Sequence, residues 1–119
     1  MAVTRVEVTP KKGPGMRDVR GDLIRRQLEA DHGISVGDVR SIVGFLIQSD
    51  IDKNLISQRV NDLFSDPIIE DVTTDNLFLS SSTHFSKIPN TAITIGFKPG
   101  VTDNPGSAAY DGFRTLFPD

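Results

Sequence analysis

The sequence predicts a small α+β domain, and three observations support this fold class. Short alternating runs typical of half-buried strands are interleaved with longer stretches whose apolar residues recur at helical spacing. The chain has 119 residues, enough for one domain with a modest core. One turn motif, P-G-(apolar)-x-D-x-x-G, occurs twice, each time after an alternating run and before a helical segment. The chain is therefore interpreted as one complete module followed by the opening of another.

The repeated motif suggests how the chain is divided. Its fixed positions are Pro14, Gly15, Asp18 and Gly21 in the first copy, and Pro99, Gly100, Asp103 and Gly106 in the second. The predicted division is a module over residues 1–74, a connector over residues 75–90, and the strand and partial helix of a second, truncated half over residues 91–119.

The first strand and first helix are predicted on either side of the first motif. Residues 3–9 alternate, with Val6 and Val8 on the face that is expected to be buried. Asp18 is a suitable helix N-cap, because its carboxylate can accept hydrogen bonds from free N–H groups of the first turn. Gly33 is a natural end for this helix. The predicted apolar stripe of the helix consists of Val19, Leu23, Ile24 and Leu28.

Two further strands and a second helix follow. Strands are predicted over residues 36–42 and 45–47, with a turn at residues 43–44. The apolar run of residues 42–47 also fits a buried helix segment, but its glycine and β-branched residues favour strands. The second helix is capped by Asp50 or Asp52, and Asp66-Pro67 ends it. Its predicted buried residues are Leu55 or Ile56, Val60, Leu63 and Phe64.

A fourth short strand over residues 68–72 completes the order βαββαβ, which is the ferredoxin-like plan. This plan gives a four-stranded sheet with both helices on one face. Its exposed edges and open face need a cover, and a second copy of the chain is expected to supply it.

The remaining residues are predicted to form the connector and the second half. Leu77, Phe78, Leu79 and Phe85 are expected to dock the polar connector. A strand is predicted over residues 91–97. The next helix is predicted to begin at Asp103, with Pro105 at a position that tolerates proline. Its apolar members are Ala108, Ala109, Phe113 and Leu116.

The bulk properties exclude several classes of protein. The formal net charge is -3 and the basic residues are dispersed, which argues against a nucleic-acid footprint and a basic membrane patch. The absence of cysteine excludes disulfides and thiolate metal sites. The N-terminus lacks an apolar signal region, and no apolar run reaches membrane-spanning length. A cytoplasmic protein is expected.

The repeated motif has two interpretations. Lys11, Lys12 and Arg17 flank the first copy, and a helix N-terminus can bind anions, so the loop could hold a phosphate. However, the pattern is neither of the two glycine-rich phosphate motifs, and Asp18 would compete for the same N–H groups. A structural turn followed by a cap is the favoured interpretation.

No set of residues with the spacing of a catalytic or metal site is found. Glu70 and Asp71 are adjacent on a predicted strand, so they point to opposite faces and cannot act as a pair. Asp38 and Arg40 are predicted to form a surface ion pair, which would add little stability. The two histidines, His32 and His84, have no partners at metal-ligand spacing.

With its elements placed, the sequence resembles the purS subunit of phosphoribosylformylglycinamidine synthase over roughly residues 5–72. The resemblance rests on Asp18 and Gly21 at the first helix, on residues 38–40, and on the run D-P-I-I-E-D at residues 66–71. That run is the most specific, because the family's version is close to N-P-x-I-E-D. The family usually places Gly-Lys shortly after the Val-Arg pair, whereas this chain has Ser-Ile-Val-Gly at residues 41–44.

The resemblance implies a role that needs no active site in this chain. The complete enzyme converts formylglycinamide ribonucleotide to the amidine with ATP, Mg and ammonia from glutamine. Its glutaminase and ATP sites lie on other domains, which the purS part bridges while helping to shield ammonia. The implied partners are a second copy, in a homodimer or larger oligomer, together with synthase and glutaminase subunits or domains. No bound cofactor, nucleic acid or membrane is expected for this chain.

The tail extends the resemblance. Residues 93–106 look like the start of a second purS-like half, and fused synthases carry two such halves that mimic a dimer. The chain is therefore expected to be either the N-terminal piece of a larger synthase or an independent gene product. Two alternatives remain: a ferredoxin-like sensor domain that binds a small molecule between two copies, and a stand-alone enzyme that uses Lys11, Lys12 and Arg17 to hold a phosphorylated substrate.

Overall fold

A computed structural model of the chain describes residues 2–59, 61–80, 91–98 and 100–117. These residues form strands, α-helices and one 3-10 turn at Phe78–Ser80. The strands are β1 (Ala2–Pro10), β2 (Val43–Ser49) and β3 (Glu70–Thr74). The helices are α1 (Val19–His32), α2 (Lys53–Arg59), α3 (Asn61–Phe64) and α4 (Asn104–Leu116).

The three strands form one antiparallel sheet with β1 in the centre. The order is β2-β1-β3, with Val6 opposite Phe45 and Val8 opposite both Val43 and Val72. In a βαββαβ plan these positions belong to the first, third and fourth strands. The predicted α+β class is therefore confirmed, and of the four strands of this plan the described residues form all except the second.

The prediction for residues 36–44 was wrong. Residues 36–42 form no strand, and Val43 and Gly44 pair with β1 instead of forming a turn. The reason is a long-range contact: the Ser41 N–H and hydroxyl both donate to the Asp18 carboxylate, which holds this stretch against the start of α1. β2 begins at Val43, two residues after Ser41.

β1 is buried on both faces, not on one as predicted. Val6 and Val8 are buried on the face toward α2, while Glu7 and Thr9 are buried on the other face. Glu7 accepts a hydrogen bond from the Phe78 N–H at 2.9 Å, and the Thr9 hydroxyl donates to the Ser41 carbonyl at 2.8 Å. Buried polar side chains are tolerated here because each is hydrogen-bonded.

The hydrophobic core is small. Its fully buried members are Val6, Val8 and Ile56, and half-buried side chains from the strands and helices surround them. The Phe45 and Phe64 rings meet with centroids 4.8 Å apart, which joins β2 to α3. Of the residues predicted to line the buried side of the second helix, Ile56 and Phe64 are confirmed, whereas Leu55 is exposed. Val60 lies outside the described residues.

Helix α1 begins and ends where the sequence predicted, but its apolar stripe is not buried. Asp18 caps it, and Gly33 ends it in the left-handed conformation at φ 63°. The exposed fractions of Val19, Leu23 and Ile24 are 67%, 52% and 40%. Thus the predicted placement of both helices on one covered face of the sheet holds for α2 and α3, whereas the stripe of α1 faces solvent.

The region predicted as the second helix contains α2 before residue 60 and α3 after it. Asp52 is its cap, since its carboxylate accepts from the Asn54 N–H at 2.8 Å. Helix α3 ends before Asp66, as predicted, and β3 begins at Glu70, two residues later than predicted. The delay arises because residues 67–69 form a turn.

The tail differs in part from its prediction. Helix α4 begins after Asp103, with proline in its first turn, and Phe113 packs against the core. Residues 91–98 lie outside the sheet, although a strand was predicted there. Of the residues predicted to dock the connector, Phe78 is buried, whereas Leu77 and Leu79 are exposed and Phe85 lies outside the described residues. The division at residues 74 and 91 stays a prediction.

Candidate functional site

The first copy of the repeated motif is a tight turn that leads into α1. Gly13 and Gly15 have positive φ values of 142° and 78°, which side chains on L-residues disfavour. The Met16 N–H donates to the Gly13 carbonyl at 3.1 Å, across Pro14. Glycine is therefore required at these positions by the backbone, as the structural interpretation of the motif predicts.

Asp18 is the centre of a buried polar cluster. One carboxylate oxygen accepts from the Gly21 N–H at 2.8 Å and from the Ser41 hydroxyl at 2.7 Å, and the other accepts from the Ser41 N–H. The Arg40 guanidinium Nε lies 3.9 Å from Asp18, and both side chains are almost fully buried. This carboxylate thus caps α1 and binds the residues before β2.

Arg40 completes the cluster in a way that the sequence did not indicate. Its guanidinium donates to the Pro10 carbonyl, which joins the end of β1 to the stretch before β2. The predicted ion pair between Asp38 and Arg40 is wrong, because Arg40 turns inward to Asp18 while Asp38 is exposed. A buried cation needs a buried partner, and Asp18 is the carboxylate within reach.

Gly21 is required by packing. A Cβ atom at this position would collide with the Val39 carbonyl oxygen, a backbone atom that cannot easily move. The close approach of α1 to residue 39 explains why D-x-x-G ends in glycine. The sequence analysis did not predict the roles of Val39 and Ser41 at this site; the only signal was that Val39 lies within the matched residues 38–40 and that Ser41 follows them.

The second copy of the motif reproduces the cap but not the cluster. The Asp103 carboxylate accepts from the Gly106 N–H at 2.8 Å, and its backbone angles, φ -96° and ψ 86°, nearly equal those of Asp18, φ -93° and ψ 87°. Gly100 has a positive φ, whereas Pro99 lies outside the described residues. Asp103 is exposed, and no described residue plays the part of Ser41 or Arg40 beside it.

The run at residues 66–71 folds into a closed turn that leads into β3. The Asp66 N–H donates to the Glu70 carboxylate at 2.8 Å, and the Ile68 N–H donates to the Asp66 carboxylate at 3.1 Å. Asp71 lies 3.9 Å from the Lys11 ammonium group. Glu70 and Asp71 therefore bind to different partners. The turn leaves Ile68 and Ile69 exposed on the surface.

The basic residues near the first motif are not arranged around an anion. Arg17 pairs with Asp22 at 3.0 Å, and Lys11 lies near Asp71. The first-turn N–H of Gly21 is already bound by Asp18. This geometry favours the turn-and-cap interpretation over the phosphate interpretation, because an incoming phosphate would have to displace a buried carboxylate.

A charged clamp joins α2 to the end of the sheet. The Asp75 carboxylate accepts from the Lys53 ammonium at 2.8 Å and from the Arg5 N–H at 3.0 Å. These hydrogen bonds, the one from Lys53 first, lower the pKa of Asp75 below its ordinary value. Asp75 also adopts a positive φ of 60°, so this residue closes a turn after β3.

A wide groove lies between β2 and α4. Its volume is about 1480 Å³, and its lining includes Phe45 and Ile47 from β2, Tyr110 and Phe113 from α4, and Ile95 and Phe97 from the tail. Arg20 of α1 reaches the same groove. The walls of this groove are mixed in polarity.

The described residues contain neither a candidate metal site nor a membrane-spanning helix. No group of three or more histidine, cysteine or acidic side chains has an arrangement suited to a metal ion within those residues. The helices seen in the described part of the chain are all too short or too polar to cross a membrane.

Comparison with solved structures identifies the same fold in PurS subunits. PurS of Methanocaldococcus jannaschii, one of the subunits of formylglycinamide ribonucleotide amidotransferase, has 21% identity and a TM-score of 0.50, covering 61% of this chain and 92% of its own. PurS of B. subtilis has 23% identity and a TM-score of 0.50, covering 61% of this chain and 94% of its own.

A third PurS structure, from an FGAM synthetase, has 25% identity and a TM-score of 0.50, covering 60% of this chain and 88% of its own. No protein-family model matches the sequence. No curated protein matches it either. The resemblance drawn from residues 66–71 and from the first helix is thus confirmed by the fold: the chain carries a PurS-like α+β domain.

Proposed function

We propose that this chain is a non-catalytic assembly subunit of phosphoribosylformylglycinamidine synthase in de novo purine biosynthesis, acting in the cytoplasm. The observation that carries the proposal is the PurS-like fold, which accounts for 88–94% of the length of three PurS subunits. The closed turn at residues 66–71 supports it, because the most specific part of the sequence resemblance forms one continuous structural unit.

The task of such a subunit is to bridge the glutaminase and the ATP-dependent synthase and to help ammonia pass between them. The motif residues of this chain serve that task indirectly. Asp18, Arg40 and Ser41 bind to each other and to the backbone, so they fix the shape of the module. ATP, Mg and glutamine are then used by the other subunits, and this chain binds none of them.

A homodimer is part of the proposal. Val19, Leu23 and Ile24 form an exposed apolar stripe on α1, and exposed apolar patches often mark surfaces at which proteins associate. A second copy offers the same stripe, and a two-fold axis brings identical surfaces together. A monomer in light scattering at high micromolar concentration would contradict this part of the proposal.

The proposal is tested by purification from the source cell. The tagged chain is expected to bring down an ATP-binding synthase subunit and a glutaminase, identified by mass spectrometry. Deletion of its gene is expected to create a purine requirement that the tagged chain relieves. Recovery of the chain alone, together with normal growth of the deletion strain without purines, would refute the assembly role.

One observation favours a second candidate function, a small-molecule sensor. The groove between β2 and α4 is wide enough for a ligand and carries both apolar and charged lining residues. Calorimetry with amino acids and nucleotides separates the two functions. Saturable micromolar binding to the chain alone supports the sensor and counts against a purely bridging role.

A further inference from the structure

The outer edge of β2 is open in the described part of the chain. β2 lies at one side of the sheet, and its other neighbour in a βαββαβ plan would be the predicted strand at residues 36–42. That stretch is held elsewhere by Ser41 on Asp18 and by Val39 against Gly21. An unpaired edge of seven residues is a surface to which another strand can add.

The tail contains a segment with the properties of a strand. Residues 92–97 alternate, and Ile93, Ile95 and Phe97 fall on one side. Ile93 is 82% exposed and Ile95 is 91% exposed, values that leave these side chains in water with almost no packing. No described backbone hydrogen bond joins residues 92–97 to the sheet.

The same segment borders the groove beside β2. Ile95 and Phe97 line the groove that Phe45 and Ile47 line from the sheet. The helix that follows is fixed in place: Phe113 packs on the core, Gly112 lies against Leu63, and the Phe117 ring lies 5.7 Å from the Arg59 guanidinium.

From these observations we infer that residues 92–97 add to the outer edge of β2 in the same molecule and form a fourth strand in place of the predicted second one. The apolar side of the segment then continues the layer of Val43, Phe45 and Ile47 beneath α4, which closes the groove. Only six residues of the sequence, 98–103, separate this segment from α4. Addition within one molecule is favoured over addition between molecules, because a short tether gives an effective concentration in the millimolar range.

The closed edge has a consequence for assembly. When residues 92–97 occupy the edge of β2, that edge is not available to a second copy or to another protein. The tail thus protects the sheet against strand addition from outside, which leaves the stripe of α1 as the surface for association. In this arrangement the tail covers the edge of β2, and a second copy of the chain binds at the stripe of α1.

Hydrogen exchange and NMR on the full-length chain test the inference. Amides of residues 93–97 are expected to exchange at least about tenfold more slowly than in the unfolded chain, equally at low and high micromolar concentration. Nuclear Overhauser contacts are expected between residues 93–97 and residues 44–48. Fast exchange at both concentrations overturns the inference, as does protection that appears only at high concentration or contacts to β3 instead of β2.

Two variants at one position provide the control. Ile95→Pro removes the N–H donor and is expected to abolish protection of residues 93–97, whereas Ile95→Thr keeps the donor and a β-branched side chain and is expected to retain it. Protection of the Gly21 amide reports in both variants that the module is folded. Equal protection of residues 93–97 in both variants overturns the inference.

Discussion

At the scale of residues, Asp18 shows how one carboxylate can organise a module. It caps α1, binds the backbone and the side chain of Ser41, and lies beside the buried guanidinium of Arg40. Asp103 has the same cap geometry without the buried neighbours. Both residues cap a helix, but only Asp18 also belongs to a buried cluster. Asp103 is therefore a matched control for Asp18.

Replacement of these two residues should give different losses. Asp18→Ala is expected to lower the free energy of unfolding by about 3 kcal/mol, because it removes the cap and leaves Arg40 buried without its partner. Asp103→Ala removes an exposed cap and is expected to cost about 1 kcal/mol. Urea denaturation measures both values. Equal losses would show that the cluster around Asp18 adds nothing beyond the cap.

The clamp between Asp75 and Lys53 should make stability depend on pH. The pKa of Asp75 is lowered in the folded chain, so its ionised form stabilises the fold above the unfolded pKa, about 4. This contribution is lost as the pH falls through the lower, folded pKa. The difference in stability between the native chain and Asp75→Asn is therefore expected to shrink below pH 4.

A matched variant identifies the cause of the shift. Lys53→Met removes the hydrogen bond that lowers the pKa of Asp75 most, so the pKa is expected to rise toward its ordinary value. NMR titration of the Asp75 carboxyl carbon measures this change. An unchanged titration in Lys53→Met would mean that the backbone N–H of Arg5 alone maintains the low pKa.

At the scale of elements, helix α1 is well formed yet poorly covered. Its cap and its C-terminal glycine are local features, and both were predicted from the sequence. Its exposed stripe is not explained by anything within the described residues. In the proposed homodimer the stripe is the contact surface.

A charge on the stripe should separate association from folding. Leu23→Glu is expected to raise the dissociation constant of the dimer at least about tenfold, because it places a carboxylate in an apolar contact. Since Leu23 is exposed in the single chain, the substitution should change the free energy of unfolding of the chain by less than about 0.5 kcal/mol. Glu29→Gln, which also changes the charge by one unit but lies on the opposite side of the helix, is the control and should leave the dimer intact. Sedimentation equilibrium measures all three proteins, and an unaffected dimer in Leu23→Glu would exclude this surface.

The elements that were predicted correctly are those specified by neighbouring residues. The helix ends follow from the cap residues, and β1 follows from its alternation. The predicted strand at residues 36–42 failed because its apolar residues, Val36, Val39 and Ile42, are spaced by three rather than two. Its true position is set by Asp18, 23 residues away from Ser41.

The burial of β1 on both faces could not be predicted from local sequence patterns either. Glu7 and Thr9 look like solvent-facing residues in the sequence. Their hydrogen-bond partners, the Phe78 N–H and the Ser41 carbonyl, lie 71 and 32 residues away. The same holds for the candidate site: Asp18 was identified as a cap, but its contacts with Ser41 and Arg40 depend on the folded chain.

At the scale of the whole molecule, α4 joins the tail to the module. Phe113 reaches the core that Val6, Val8 and Ile56 form, and Gly112 allows the helix to approach Leu63 closely. The tail helix is thus part of the same folded unit as the sheet. This contact is the basis for a prediction about cooperativity.

Truncation of the anchoring side chain should weaken the whole fold. Phe113→Ala is expected to lower the free energy of unfolding by about 2 kcal/mol in one cooperative transition, since Phe113 is half-buried against the core. Tyr110→Ala, which changes an exposed residue of the same helix, should cost less than about 0.5 kcal/mol. Circular dichroism during urea unfolding measures both. An early, separate loss of helix with an unchanged main transition would show that α4 folds independently.

The exposed stripe of α1 also affects how heat stability should be understood. A partner that binds the folded chain but not the unfolded one stabilises it by RT ln(1 + [partner]/Kd), so the melting temperature rises with concentration. In the proposed homodimer this mass-action contribution is expected to matter, because folded domains are only marginally stable and the core that the described residues form is small. The melting temperature of the proposed homodimer is therefore expected to fall when the protein is diluted.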